Sequence, residues 1–248
     1  MQIEHEGNNM KFKSFLAAAA MAAPLAAMPG VAYAQDGEAE EASGPIDISA
    51  EVAVLSDYRF RGLSLSAGEP ELTASISVEH ESGLYASVWA SNVSLGLGSS
   101  DDLEMDWTAG FSKDVGSVNV DVGAIYYSYL GHRDFNYIEG FGSVGTTVGG
   151  AEVRVGVAYA PKQDNLGGQD NTYVYISGDM PIGKSPFSVH GTFGYEHGAF
   201  AQHKKDWILG ASVDLGGGLS ASLDYVDTAH DFTGLGGPTA VASLKFGF

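Results

Sequence analysis

His190, His197, His203 and His230 stand among many serines and aspartates, the residue types from which a hydrolytic triad or a metal centre is assembled. The spacing supports neither. There is no G-x-S-x-G elbow and no H-E-x-x-H pair, the two patterns that would fix a nucleophile or a zinc on a defined element. Cysteine is absent, which removes disulfides, thiolate metal sites and thiol nucleophiles together. His197, His203 and Asp206 would make at most a weak metal site. Asp101, Asp102 and Asp164 could hold calcium or bridge lipopolysaccharide through divalent ions, but they lack EF-hand spacing. His80-Glu81 falls in a short turn. The sequence points to no enzyme, no cofactor and no metal, so the charged residues have to be understood from where they fall in the chain.

Composition narrows the class. Thirty-one acidic residues against 12 basic ones give a net charge of −19, which would repel a phosphate backbone and excludes nucleic-acid binding. Glycine supplies 34 of 248 residues, about twice the usual ~7%. A mean hydropathy of −0.00 fits neither a disordered acidic chain nor a bundle of transmembrane helices.

The first 34 residues read as an address. Met10-Lys11-Phe12-Lys13 is a short positive start, residues 14–28 are nearly all Ala, Leu and Met, and Ala32-Tyr33-Ala34 is an A-x-A cleavage site. A buried N-terminal helix is the competing interpretation, but Pro24, Pro29 and Gly30 would break it. We expect a signal peptide over residues 1–34, with 1–9 as an upstream extension, and cleavage after Ala34. Lys11 and Lys13 leave with Glu4 and Glu6, so the mature chain stays at −19. Residues 35–45 form an acidic leader too poor in apolar groups to pack, expected to be flexible, and residues 46–248 the folded domain.

That domain alternates with period two. Ile46, Ile48, Ala50, Val52 and Val54 share one parity that continues through Tyr58 and Phe60, against Asp47, Glu51, Asp57, Arg59 and Arg61 on the other, the pattern of a strand with one apolar and one polar face. It recurs to Phe248 and predicts about twelve strands in an all-β, up-and-down antiparallel meander. The polar parity is Gly, Ser, Thr and Asp rather than the Lys and Glu of a solvated surface, as a lumen lining would be. Short turns alternate with longer polar loops, and aromatics gather at strand ends: Tyr58, Phe60, Tyr126, Tyr159, Tyr195, Trp207 and Tyr225 near the long loops, Phe111, Phe187, Phe246 and Phe248 at the other end. Amphipathic rings collect at membrane interfaces. The expected fold is a closed transmembrane β-barrel, since closure removes the unpaired edges that hydrocarbon does not tolerate.

With the polar parity turned inward, the lumen carries fourteen acids, Asp47, Glu51, Asp57, Glu71, Glu79, Glu104, Asp106, Asp121, Glu152, Asp179, Glu196, Asp206, Asp214 and Asp224, against four bases, Arg59, Arg61, Arg154 and Lys245. Such a lining favours cations or neutral solutes. The arginines have a second reading, as struts paired with neighbouring carboxylates that hold the barrel's shape. Ser75, Ser77, Gly110, Gly123, Gly156, Gly194, Gly210, Ser220 and Ser222 argue for space inside, while inward Tyr127, Tyr129, Tyr173 and Tyr175 would narrow it. No connection is long enough for a substantial plug, although residues 161–171 could fold inward. A narrow channel is expected.

Ser56-Asp57-Tyr58-Arg59-Phe60-Arg61-Gly62-Leu63-Ser64, His80-Glu81-Ser82-Gly83-Leu84-Tyr85-Ala86, Trp89-Ala90-Ser91-Asn92-Val93, Ile125-Tyr126-Tyr127-Ser128-Tyr129, Asp206-Trp207 and Asp224-Tyr225-Val226-Asp227-Thr228 resemble the TorF family of porins across the whole mature chain, the first block most specifically. The resemblance implies an outer-membrane barrel of a Gram-negative bacterium with a channel role. Ser243-Leu244-Lys245-Phe246-Gly247-Phe248 separately resembles the terminal signal read by the barrel-assembly machinery, through Leu244, Phe246 and Phe248. Outer-membrane lipid, lipopolysaccharide, that machinery and small solutes are the implied partners. A structural or surface-interaction barrel without conductance is the alternative, and an outer-membrane hydrolase a more distant one.

Overall fold

The computed structural model describes residues 45–94 and 102–248. The signal peptide, the acidic leader except its last residue, and the Asp101 part of one long loop lie outside the described residues. Twelve antiparallel strands close into one barrel: β1 (Ile46–Leu55), β4 (Glu71–His80), β5 (Leu84–Val93), β6 (Asp102–Val115), β7 (Val118–Leu130), β8 (Tyr137–Val148), β9 (Ala151–Ala160), β10 (Asn171–Pro181), β11 (Phe187–Gly198), β12 (Lys204–Gly216), β13 (Leu219–Ala229) and β14 (Thr239–Gly247). A separate two-stranded hairpin, β2 (Arg59–Phe60) and β3 (Leu63–Ser64), interrupts the chain between β1 and β4.

Each strand pairs with its chain neighbour, and β14 returns to β1 in the register Val54↔Leu244 and Val52↔Phe246. The seam is completed by reciprocal backbone bonds, Ala50 N–H to the Phe248 carbonyl at 2.8 Å and Phe248 N–H to the Ala50 carbonyl at 2.9 Å. No sheet edge is left open, the only arrangement in which strands can sit in hydrocarbon. At one end the connections are tight. Gly149 and Gly150 both take positive φ (63° and 91°), as a two-residue primed hairpin turn requires.

The alternation is realised as expected. Ile48, Leu72, Ile76, Val144, Leu209 and Leu223 are exposed on the outside, Leu209 to 67%; Asp106, Asp121, Glu139 and Glu196 face inward and are buried. Because side chains alternate along a strand, one parity must face out and the other in, and here the apolar set is outside. The aromatic residues Tyr126, Tyr159 and Tyr225 are exposed on the outer wall. Their hydroxyls are tied to polar groups of the long-loop end: Asn136 Nδ2 donates to Tyr126 Oη (3.0 Å), Tyr159 Oη to Asp170 (3.1 Å) and Tyr225 Oη to Asp227 (3.0 Å). Tyr195 and Trp207 are half-buried on the same wall, with Tyr195 Oη 2.6 Å from His203 Nδ1. At the opposite end Phe246 and Phe248 are exposed, their rings 5.6 Å apart.

Tyr58 and Phe60 depart from this scheme. Strand β1 stops at Leu55, and both rings are buried inside the barrel, each 5% exposed. The alternation looked continuous because their spacing matches the strand, yet they belong to a hairpin folded into the lumen, where the same apolar groups pack on the inner wall.

A lysine at Leu209, on the exposed outer wall, should cost about 2–4 kcal/mol when the barrel is folded in lipid. Urea titration of Leu209→Lys in phospholipid vesicles, beside a Ser212→Lys control on the lumen side, is expected to show the loss for the first variant only.

Candidate functional site

The inward-folded hairpin plugs the lumen near the long-loop end. Asp57 organises it: Ser64 Oγ and Ser66 Oγ donate to its Oδ1 at 2.6 and 2.9 Å, and Arg59 Nε pairs with its Oδ2 at 2.5 Å. Neighbouring loops hold it from above. Ser64 N–H donates to the Leu235 carbonyl (2.9 Å) and Ser94 N–H to the Leu65 carbonyl (2.7 Å). Tyr58, Phe60, Leu63 and Leu65 pack with Trp89, Ile125, Tyr127, Tyr129, Tyr137, Leu166 and Phe200 into one buried apolar cluster. So a plug does form. It comes from residues 56–70, with Leu166 of the 161–171 loop added to it. Gly62 (φ 83°) sits at the tip, where an added Cβ would lie 2.3 Å from Thr228 Cγ2, so only glycine fits.

Arg61 clamps this tip to the wall. Its guanidinium pairs with Glu139 on β8 (2.6 Å) and Glu196 on β11 (2.7 Å), and lies 4.3 Å from the Tyr173 ring centre on β10. Lys204 on β12 pairs with Glu196 (3.2 Å) and Asp206 (3.1 Å) and donates to the Arg61 carbonyl. All these groups are nearly inaccessible to water, and a buried charge is tolerable only when paired and hydrogen-bonded in this way. Arg61 joins carboxylates on two wall strands, as a strut would, whereas Arg59 pairs with Asp57 inside the hairpin and Arg154 has Ser143 and Asn119 as partners. Two members of the clamp escaped the sequence reading. Neither Lys204 nor Glu139 is among the inward residues read from the sequence, although Tyr137-Ile138-Glu139 carries the inward parity at its two polar ends.

From the clamp toward the short-turn end one arrangement recurs along the wall. Tyr85 on β5 lies over Gly110 on β6 and donates to Asp121 Oδ1 on β7 at 2.9 Å. Tyr173 on β10 lies over Gly194 on β11 and donates to Asp206 on β12 at 2.9 Å. Tyr175 lies over Gly156 on β9, its ring stacked beside Tyr173 with centroids 5.8 Å apart. His190 on β11 crosses Gly210 on β12 to reach Asp224 on β13, Nε2 to Oδ1 2.6 Å. Arg154 on β9 lies on Gly145 and reaches Asn119 Oδ1 on β7 at 3.1 Å, with Ser143 Oγ at 2.9 Å. The motif is the same four times, at Tyr85, Tyr173, His190 and Arg154: a flat group crosses a glycine on the next strand and bonds to the strand beyond. The inward glycines are therefore seats for rings rather than empty space. A ring lying flat on the wall takes less of the lumen than one standing upright.

The remaining predicted lining residues separate by depth. Asp214 and Asp224 are half-buried, Glu79 is exposed near the rim, and Lys245 pairs with Glu51 at 3.1 Å in a partly open position. Asp106 is wholly buried against the plug, and neither of its carboxylate oxygens has a hydrogen-bond partner among the described residues. Oε2 of Glu71 and of Glu104 is in the same condition. The described residues include no group of three or more His, Asp or Glu arranged to hold a metal. His197 and His203 stack on each other at 4.3 Å, while Asp206 is buried inside. Above the plug, Asp231 shapes the β13–β14 loop. Partial burial pushes its carboxyl up, but hydrogen bonds from Thr233, Gly236 and Gly234 prevail and hold it below the usual carboxylate range, so this loop keeps its form until the medium is more acidic than an ordinary aspartate would require.

A family model described as "Bacterial protein of unknown function (Gcw_chp)" matches residues 39–245. No curated protein matches the chain. Among solved structures, the KdgM porin is similar with a TM-score of 0.59 at 9% identity, over 81% of this chain and 99% of that one. The NanC porin is similar with a TM-score of 0.51 at 10% identity, over 81% and 98%. At such identities the likeness establishes the closed-barrel fold.

Removing the unpartnered polar atoms with Asp106→Leu should stabilise the barrel by about 1–3 kcal/mol, the scale of an unmet buried polar group. Arg61→Met should do the reverse by leaving Glu139 unpaired, at about 3–5 kcal/mol. Denaturant midpoints of the refolded barrels measure both.

Proposed function

The chain belongs to the Gcw_chp family, and we propose that it spans the outer membrane of a Gram-negative bacterium as a porin-like barrel passing small solutes. One observation carries this reading: an exposed apolar wall surrounds a hydrogen-bonded polar one, with no open sheet edge between them. Such an inversion of the usual soluble pattern is costly in water and favourable in lipid. The export signal of residues 1–34, the terminal Leu244, Phe246 and Phe248, and the likeness of the Asp57–Ser64 block to TorF porins support the same placement. The expected surroundings are outer-membrane lipid and lipopolysaccharide, with the barrel-assembly machinery acting during insertion.

The lumen's charge favours cations and neutral solutes. In the half toward the short turns Glu51, Asp121, Asp179, Asp214 and Asp224 face Arg154 and Lys245, whereas Arg61 and Lys204 are committed to the clamp. Carboxylates lining a low-dielectric passage raise the local cation concentration. The plug narrows the path at the other end. A non-conducting barrel is the second reading, and the depth of the Arg61 clamp is what favours it.

Reconstitution into planar bilayers tests both. Under a potassium chloride gradient the reversal potential should have the sign of cation preference, and Gly62→Ala, which drives the tip against Thr228, should raise conductance several-fold by displacing the plug. Anion preference would remove the charge argument. No current from either protein would leave the structural barrel as the better description.

A further inference from the structure

The wall from β5 to β10 differs from the rest of the lumen. Tyr85 and Tyr175 approach from opposite sides, each lying flat over a glycine, and between them Arg154 spans Asn119 and Ser143 beside Asp121. One face of each tyrosine ring rests on backbone. Both residues are half-buried, Tyr175 stacked beside Tyr173 with centroids 5.8 Å apart, so part of each ring is presented to the lumen. Across the barrel the wall carries short hydroxyl groups, with Ser188 and Ser212 paired at 2.7 Å and Ser222 and Ser243 at 2.8 Å.

We propose that this half of the lumen wall binds uncharged sugar rings, a proposal that rests on the channel reading and names its solute class. A pyranose has an apolar C–H face and a rim of hydroxyls. The accessible parts of the Tyr85 and Tyr175 rings bury the first, and the half-buried Asn119 and the serine hydroxyls across the lumen meet the second. Sites for such ligands combine apolar and aromatic walls with a few fixed polar groups. The rings are fixed in advance, Tyr85 by its bond to Asp121 and Tyr175 by its seat on Gly156 beside Tyr173, so little freedom is lost when a solute stacks on them. Charged ligands fit less well. An anion placed at Arg154 would meet Asp121 beside it and a lumen with excess acid. A cation would find Asp121 itself only 1% exposed and its Oδ1 already accepting from Tyr85. Arg61 over the Tyr173 ring shows a planar group seated on such a lumen-facing tyrosine within the chain itself.

The experiment uses the refolded mature barrel with maltohexaose and cellohexaose as probes, and a polyethylene glycol of equal hydrodynamic size as the inert comparison. Saturable interruption of the ion current by at least one sugar and not by the polymer is expected. Tyr85→Leu or Tyr175→Leu should weaken it at least tenfold, and the Phe variants, which keep the ring, should retain most of it. Folding of every variant is checked by heat-modifiable gel mobility. If the barrel carries no current, the channel reading fails by itself, and sugar binding is then read by saturation-transfer NMR on the detergent-solubilised protein with the same variants. Sugars that act no differently from the polymer, and give no saturation transfer, would overturn the proposal. So would sugar binding that both Leu variants leave unchanged.

Discussion

Backbone amides and carbonyls have no water to turn to in hydrocarbon, and every other feature of this barrel follows from that. The strands must pair with one another around a complete circle, and the circle closes only where β1 meets β14. Once it is closed, the two-residue repeat of a strand has no freedom: one set of side chains faces lipid and the other faces the lumen. The apolar set is outside, so hydrophobic burial in the ordinary sense contributes little to the wall. Cohesion comes from the ladder of backbone bonds and from what the inner side chains do to each other.

What they do is dictated by space. Twelve strands enclose a lumen too wide for opposite walls to meet across it everywhere, and too narrow for large side chains to stand upright without obstruction. The glycines resolve this. Where Gly110, Gly194 and Gly210 remove a Cβ, a tyrosine or histidine from the next strand lies down and reaches the strand beyond. Each such contact ties three strands together and keeps the axis clearer than an upright ring would. The glycine excess of the composition, about twice the usual share, thus has a mechanical use in addition to its place in turns.

Charge follows the same logic with a different result at each depth. In the plugged half, water is excluded, and Arg61 and Lys204 offset Glu139, Glu196 and Asp206 at distances of 2.6–3.2 Å. Glu71, Glu104 and Asp106 on the β4–β6 side of the plug retain unmet oxygens, as does Oε2 of Glu139 in the clamp, so the paired charges hold the hairpin beside buried polar atoms that nothing offsets. In the open half Glu51, Asp179, Asp214 and Asp224 are half-buried, where water screens them and they shape the field along the path.

Period-two alternation from Ile46 to Phe248 was sufficient to read twelve strands, their facing, the short and long connections and the outer aromatics Tyr126, Tyr159, Tyr195, Trp207 and Tyr225, because those properties depend only on neighbours in sequence and on a solvent that is oily outside. The inward direction of Tyr58 and Phe60 could not be read so, since a hairpin of the same spacing packs inside once a lumen exists to receive it. Nor could the pairing of Arg61 with Glu139 and Glu196, 78 and 135 residues away. The use of each glycine likewise depends on which strand lies beside it and at what register. Local alternation determines the wall. What fills the wall depends on contacts between residues far apart in the chain, which only closure of the barrel brings together.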